Sequence, residues 1–228
     1  MIERSTVVQV RPMRPVDVPA VVEWHLQNFP HCFYSRLGPD FMVSDVREHL
    51  KSPAVASFSA VDPRTGLVIG YLLGSLDDER LRTHKARHAA SPLARASAAA
   101  LRRRPGLWGE FLRVWSLWYL RRLARGVRAG GDTRGERTEG EMRSAELLSI
   151  CVAPGHRLRG AGAALHDTFL QQVAASGASR VHLVNETVNT VATGLYQRRG
   201  WTTEDEATSR DGRRLVRMVK CLDGTERR

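Results

Sequence analysis

Glu146-Leu147-Leu148-Ser149-Ile150-Cys151-Val152-Ala153-Pro154 runs through Gly155-His156 into Arg157-Leu158-Arg159-Gly160-Ala161-Gly162, and the order of these pieces decides the fold. The run from Leu147 to Val152 is apolar and of strand type, and a helix-like run from Ala163 to Val173 follows the glycines. A strand, a glycine turn and a helix start together make a seat for a phosphate anion. The N–H groups of a first helical turn have no intrahelical partner, and the helix dipole adds positive charge there. Gly160 and Gly162 lack a Cβ, so the main chain can approach a ligand closely. Two glycines in six residues fit an ordinary turn about as well, so the flanks have to decide.

Outward from this stretch the pattern is regular. Thr6 to Arg11 alternates as a strand, Asp17 offers an N-cap to a helix ending near Asn28, and a second helix spans Pro39 to Leu50. Ala54 to Val61 and Leu67 to Leu73 form a hairpin about the turn 62–66, with proline early and glycine late. Downstream come the strand Ala145 to Val152, a helix near Gly162 to Ser176, a strand Arg180 to Val184 and a helix Asn189 to Arg199. Two strands, Thr202 to Ala207 and Leu215 to Cys221, close the chain. The fold class is α/β, an α+β mixed sheet with helices on its faces, in the order β-α-α-β-β-β-α-β-α-β-β. The expectation is one domain over 1–228 with a helical, Arg-rich insertion at 77–143 between the third and fourth strands.

The strand and Arg157-x-x-Gly160-x-Gly162 are followed, after the next strand, by Asn189-x-x-Ala192-x-x-Leu195-Tyr196-x-x-x-Gly200-Trp201. At these residues the chain resembles the GNAT family of N-acetyltransferases, which move acetyl from acetyl-CoA to an amine. The resemblance spans about Ala145 to Trp201. It implies a GNAT-like acyl-CoA N-acyltransferase fold with acetyl-CoA as co-substrate and no metal. Arg157, Leu158, Arg159, Gly160, Ala161, Gly162 and Ala163 would hold the CoA pyrophosphate. The backbone of Ile150, Cys151 and Val152 would pair with the pantetheine arm, and an N–H near Val152 would polarise the thioester carbonyl. Asn189 would bond the CoA arm, with helix capping as an alternative that can coexist. Tyr196 stands where the family places its general acid. A phenol of pKa near ~10 can protonate or hydrogen-bond a thiolate whose pKa is about 8.5.

Glu146 is the candidate general base, six residues before Val152, where the histone-acetylating branch of the family carries a catalytic glutamate. Period-two geometry puts Glu146, Leu148, Ile150 and Val152 on one face, and a carboxylate among apolar neighbours has a raised pKa. Phe29, His31 and Tyr34 fall in the early helical region that lines the acceptor pocket in this family, and His25 lies nearby.

Composition bounds the rest. The net charge is +11, and from Glu79 to Arg128 thirteen Lys or Arg face only Glu79 and Glu110, so the excess resides in the insertion. Within it Pro92 to about Arg103 and Leu107 to about Arg125 read as helices, with Trp108, Phe111, Leu112, Trp115, Trp118 and Tyr119 on one stripe, and 128–143 as a mobile loop. The pair is expected to act as a lid or partner surface. A homodimer contact and peripheral membrane contact are the other readings. The three cysteines fit neither a disulfide framework nor a metal site, and without an apolar leader the expected location is cytoplasmic. The expected function is acetyl transfer to a primary amine of a small molecule, such as an amino sugar (with or without a linked nucleotide) or a specialised metabolite. The alternatives are a protein or peptide N-acetyltransferase, and a nucleic-acid or membrane binding module on an inactive transferase fold.

Overall fold

A computed structural model describes residues 8–88, 92–109, 111–112, 144–209 and 212–222. The strands are β1 (Gln9–Pro12), β2 (Phe58–Val61), β3 (Val68–Ser75), β4 (Ser144–Val152), β5 (Arg180–Glu186), β6 (Thr202–Thr208) and β7 (Arg214–Cys221). They form one sheet in the order β1-β2-β3-β4-β5-β7-β6. Every neighbouring pair is antiparallel except β4 and β5, which are parallel. The helices are α1 (Val18–Asn28), α2 (Phe33–Leu37), α3 (Pro39–Leu50), α4 (Asp78–His88), α5 (Pro92–Arg103), α6 (Ala161–Ala175) and α7 (Thr190–Arg198).

Two apolar clusters occupy the two faces of this sheet. On one face α6 lays Ala161, Leu165, Phe169 and Val173, spaced four apart along one stripe, against Leu72, Leu147, Val181 and Leu183. On the other face α1 and α3 bring Val18, Val22, Phe41 and Val46 against Tyr71, Leu73 and Cys151. The insertion contributes to this second cluster through Ala100, Leu101 and Leu107, so α5 packs as part of the core. Central β3 is buried along nearly its whole length, as a strand covered on both faces must be.

Several local expectations change. Asp17 makes no side-chain cap for α1. Its carboxylate instead accepts from Arg11 at 2.6 and 2.8 Å, from the Ser59 hydroxyl at 2.8 Å and from the Arg14 N–H at 2.9 Å. Burial alone would raise its pKa, but these hydrogen bonds outweigh that and hold it below the ordinary carboxylate value. Helices α2 and α4 are additional to the two sequence-expected helices on either side of them. In the aromatic stripe of the insertion, Phe111 is half-buried against Trp108, whereas Trp108 and Leu112 face solvent. Trp115, Trp118, Tyr119 and the loop 128–143 lie outside the described residues. Among the described residues no helix is long and apolar enough to cross a membrane.

Gly74 marks the tightest contact between the sheet and α6. A Cβ there would lie 2.4 Å from Phe169 Cε2 and 2.9 Å from the Ala56 carbonyl oxygen. Gly74→Ala is expected to cost about 1–3 kcal/mol by overpacking, read as a lower urea midpoint at unchanged m-value. An unchanged midpoint would mean that the Phe169 ring yields without loss.

Candidate active site

The site begins where two strands stop pairing. β4 stays registered with β3 up to Val152 opposite Gly70, and β5 stays with β7 up to Glu186 opposite Leu215. Between β4 and β5, however, the rungs end at Leu147 opposite Leu183. The next residues, Leu148 and Val184, are 41% and 54% exposed, as expected where the sheet opens. The Ala153 N–H donates to the Ile69 carbonyl at 2.8 Å, which fixes the alternation. The peptide groups of Cys151 therefore face β3, while those of Ile150 and Val152 face the gap. An extended ligand can use them as it would a neighbouring strand.

A register shift at Leu73/Gly74 places Leu73 opposite Ser149 and Gly74 opposite Leu147, leaving Leu148 as an inserted residue. The bulge reverses the side-chain alternation. Ile150 and Val152 join the α6-side cluster with Ala145 and Leu147, whereas Cys151 belongs to the α1/α3 side. Glu146 therefore does not share a face with Ile150 and Val152, as uninterrupted period two would require. It points to the helix-α1/α3 side, and its neighbours are polar rather than apolar. His182 stands opposite it on β5, with Nε2 at 3.8 Å from the carboxylate. Asp78, at the start of α4, has a carboxylate oxygen within 4.8 Å of both groups.

The glycine turn forms the expected helix entrance. Gly160 caps α6 at φ +87, and neither a capping side chain nor an acidic residue occupies the first turn. Among the described residues no acceptor takes the N–H groups of Ala161, Gly162 or Ala163, so they and the dipole face outward. Leu158, exposed and at φ +61, carries the turn through a left-handed step that costs about 1–2 kcal/mol for a residue with a Cβ. Arg157 is not a free phosphate ligand here. Its Nε donates to the Val152 carbonyl at 3.1 Å and its Nη2 donates to Asn28 Oδ1, tying the edge of β4 to the end of α1. Arg159 is exposed and lines a shallow groove with Arg64, Asp62 and His156.

Asn189 caps α7, its Oδ1 accepting the Ala192 N–H at 3.2 Å. The side-chain amide N–H groups point from an exposed residue and have no partner among the described residues. Tyr196 is buried between His166 and Trp201, with ring centroids 6.2 and 5.7 Å away. Burial pushes its phenol pKa up to about 12, and no described residue hydrogen-bonds its hydroxyl. Its surroundings are fixed by a chain that sequence reading did not detect. Trp201 Nε1–H donates to His166 Nε2 at 2.9 Å, His166 Nδ1 meets Asp167 at 2.8 Å, and Arg199 Nε–H donates to Asp167 at 2.9 Å. Burial first of all, against the pull of Asp167, keeps the His166 pKa below its ordinary value.

On the α1/α3 side Tyr34 is 44% exposed and stacks on Phe41 with centroids 5.6 Å apart. The protein around this recess, and then Asp45, Cys32 and Glu146, raise the Tyr34 pKa. Phe29 is half-buried against His25, and His31 is exposed. Of the three predicted acceptor residues, Tyr34 is near enough to Glu146 for that carboxylate to contribute to the rise of its pKa. His25, buried, meets the hydroxyl of Tyr71 at 2.8 Å, and burial lowers its pKa from 6.5 to about 4, against a smaller rise from Asp45.

The unfolded chain protonates His25 near pH 6.5, and the folded protein does so only near pH 4. Stability from the neutral ring is therefore present above 6.5 and lost as pH falls toward 4, by on the order of 3 kcal/mol. Urea unfolding at pH 7 and pH 4.5 should show this loss, and His25→Gln should flatten part of it. An equal slope in the variant would assign the acid sensitivity elsewhere.

Comparison with known proteins agrees with this geometry. Residues 128–201 match the family model described as Acetyltransferase (GNAT) family. The yncA protein of Salmonella typhimurium, solved with its cofactor acetyl-CoA, superposes with a TM-score of 0.57 at 15% identity, over 95% of this chain and 94% of that one. Ard1 from Thermoplasma volcanium gives 0.55 at 15% identity, over 94% and 97%. The ribosomal-protein-S18-alanine N-acetyltransferase from Escherichia coli gives 0.53 at 12%, over 95% and 94%. A search of curated proteins gave no match. At these identities the solved structures establish the fold, and the family model covers the strand, glycine turn and Asn189-to-Trp201 segment from which the site is built. Residues 128–201 thus carry the match to the acetyltransferase (GNAT) family, and the chain has the fold of these solved acetyltransferases.

Proposed function

We propose that the protein acetylates a primary amine of a small molecule by direct attack on the thioester, with Glu146 as general base and Tyr196 as hydrogen-bond donor to the leaving sulfur. The observation that carries the small acceptor is the packing of the insertion. Helix α5 shares the apolar cluster of α1 and α3, Arg103 pairs with Asp40 at 3.2 Å, and Arg104 Nη1 donates to the Arg36 carbonyl at 2.5 Å. Helices thus crowd the α1/α3 side of the sheet, where Tyr34 and Glu146 lie. A compact amine suits such a recess better than an extended peptide. Two of the solved structures with this fold are named as N-acetyltransferases of proteins, which makes a peptide amine the rival to test.

The pyrophosphate would sit on the free N–H groups of Ala161, Gly162 and Ala163, and the pantetheine arm along Ile150 and Val152. An N–H in the gap near Val152 would stabilise the oxyanion that forms when nitrogen attacks. The acceptor arrives as an ammonium and loses two protons in all. Glu146 takes one to free the lone pair, and the second leaves as the C–S bond breaks and ends on sulfur. A phenol with a pKa of about 12 keeps its proton against a thiolate of pKa about 8.5. Tyr196 therefore stabilises the leaving thiolate by hydrogen bonding rather than by complete transfer.

Thiol release from acetyl-CoA across a panel of amines, amino sugars and peptides, with mass spectrometry of the product, tests the acceptor class; turnover of peptides alone would overturn it. Tyr196→Phe should lower kcat about 10- to 100-fold with acetyl-CoA affinity nearly unchanged. A Cβ on Gly162 meets nothing nearer than Val152 Cγ2 at 3.6 Å, so Gly162→Ala fits the free protein. Weakened acetyl-CoA binding in that variant, by calorimetry, would come from the ligand, and unchanged binding would move the pyrophosphate off this turn.

A further inference from the structure

We propose that His182 is a positioning residue that shares the reaction proton with Glu146, so that the pair, not the carboxylate alone, is the working base. This rests on the assignment of Glu146 as base. Glu146 and His182 are register partners on the parallel strands β4 and β5, and theirs is the last rung but one before the strands part at Leu147 and Leu183. The pair therefore stands beside the gap in which the thioester would lie. His182 has an 8% exposed side chain and Glu146 a 21% exposed one, so the histidine lies behind the carboxylate and away from solvent.

The orientation of the ring is set from its far side. Ser144, two residues before Glu146 on the same strand, places its Oγ 3.1 Å from His182 Nδ1. With Nδ1–H donated to Ser144, the Nε2 lone pair faces the carboxylate. Nε2 and Glu146 Oε2 are 3.8 Å apart, about 1 Å beyond hydrogen-bond length and within the reach of glutamate's rotatable side chain. Around the pair stand Asp78 from α4, Ser75 from β3, which is opposite Glu146, and Tyr34 from α2. Apolar Val219 from β7 is opposite His182.

The proton balance is simple. The ammonium gives one proton to Glu146, which passes it to Nε2 and returns to the carboxylate state beside an imidazolium. The amine then forms its C–N bond as the C–S bond breaks. The imidazolium releases its proton to water once product has left, so one proton enters the pair and one leaves it per turnover. Histidine thereby keeps the carboxylate ionised and facing the acceptor while the C–N bond forms.

The test is the pH–rate profile of His182→Gln, which keeps a polar side chain of similar length, and of Ser144→Ala. His182→Gln should lower kcat roughly 10- to 100-fold, leave acetyl-CoA affinity within about two-fold, and shift the acidic limb of the kcat profile. Ser144→Ala should shift the same limb by less. Imidazole added to His182→Gly should restore part of the rate. A His182→Gln enzyme with lower melting temperature but an unmoved limb would overturn the proposal and leave a structural histidine. Loss of wild-type activity on chelation would also overturn it, by making the cluster a cation site. If Glu146→Gln leaves the profile intact, the base assignment itself fails. If Glu146→Gln abolishes the limb while His182→Gln leaves it, only the pairing fails.

Discussion

A sheet gains stability by pairing every strand along its length, and this one gives up that pairing at a single place. Apart from the bulge at Leu148, β4 stays paired with β3 as far as Val152, and β5 stays paired with β7 as far as Glu186. Between β4 and β5 only four rungs form, from Ser144/Arg180 to Leu147/Leu183. Unpaired peptide groups facing an open gap must be satisfied by water or by a ligand. The buried stripe of α6 packs on β3 and β4 and shares one apolar cluster with Val181 and Leu183 of β5 below the opening. The same helix begins at Gly160, just after the edge of β4, with its first-turn N–H groups facing outward.

The two faces of the sheet divide the chemistry. On the α6 and α7 face, Tyr196 is held by a connected chain from Trp201 through His166 and Asp167 to Arg199. The chain fixes the His166 and Trp201 rings between which the phenol packs. On the α1/α3 face, buried Tyr71 and His25 and half-exposed Tyr34 lie with Glu146, His182 and Asp78. The thioester would reach one face and the acceptor the other, and the bulge at Leu148 lets a single strand serve both.

Much of this was legible in the chain. The apolar run, the glycine turn and the Asn189-to-Trp201 spacing predict the strand, the helix entrance and the capped helix where they occur, because each depends on local chemistry. The hairpin at 62–66 follows for the same reason. Expectations went astray where a distant partner competes with a local role. Asp17 has the chemistry of a cap, but Arg11 and Ser59 claim its carboxylate. Arg157 has the charge for phosphate, and in the folded chain it also bonds the Val152 carbonyl and Asn28, contacts that its place in the turn does not announce. His182 and His166 carry no motif at all, and their contacts come from elements distant in the chain.

By itself the sequence determined the order of the strands, the helices that flank them in the regular part of the chain and the helix entrance at Gly160, since backbone geometry and hydrophobic period are local properties. Only the tertiary structure decided which side of β4 Glu146 occupies. That outcome turns on one inserted residue, Leu148, whose bulge is set by register against β3, and a one-residue shift moves every later side chain to the opposite face.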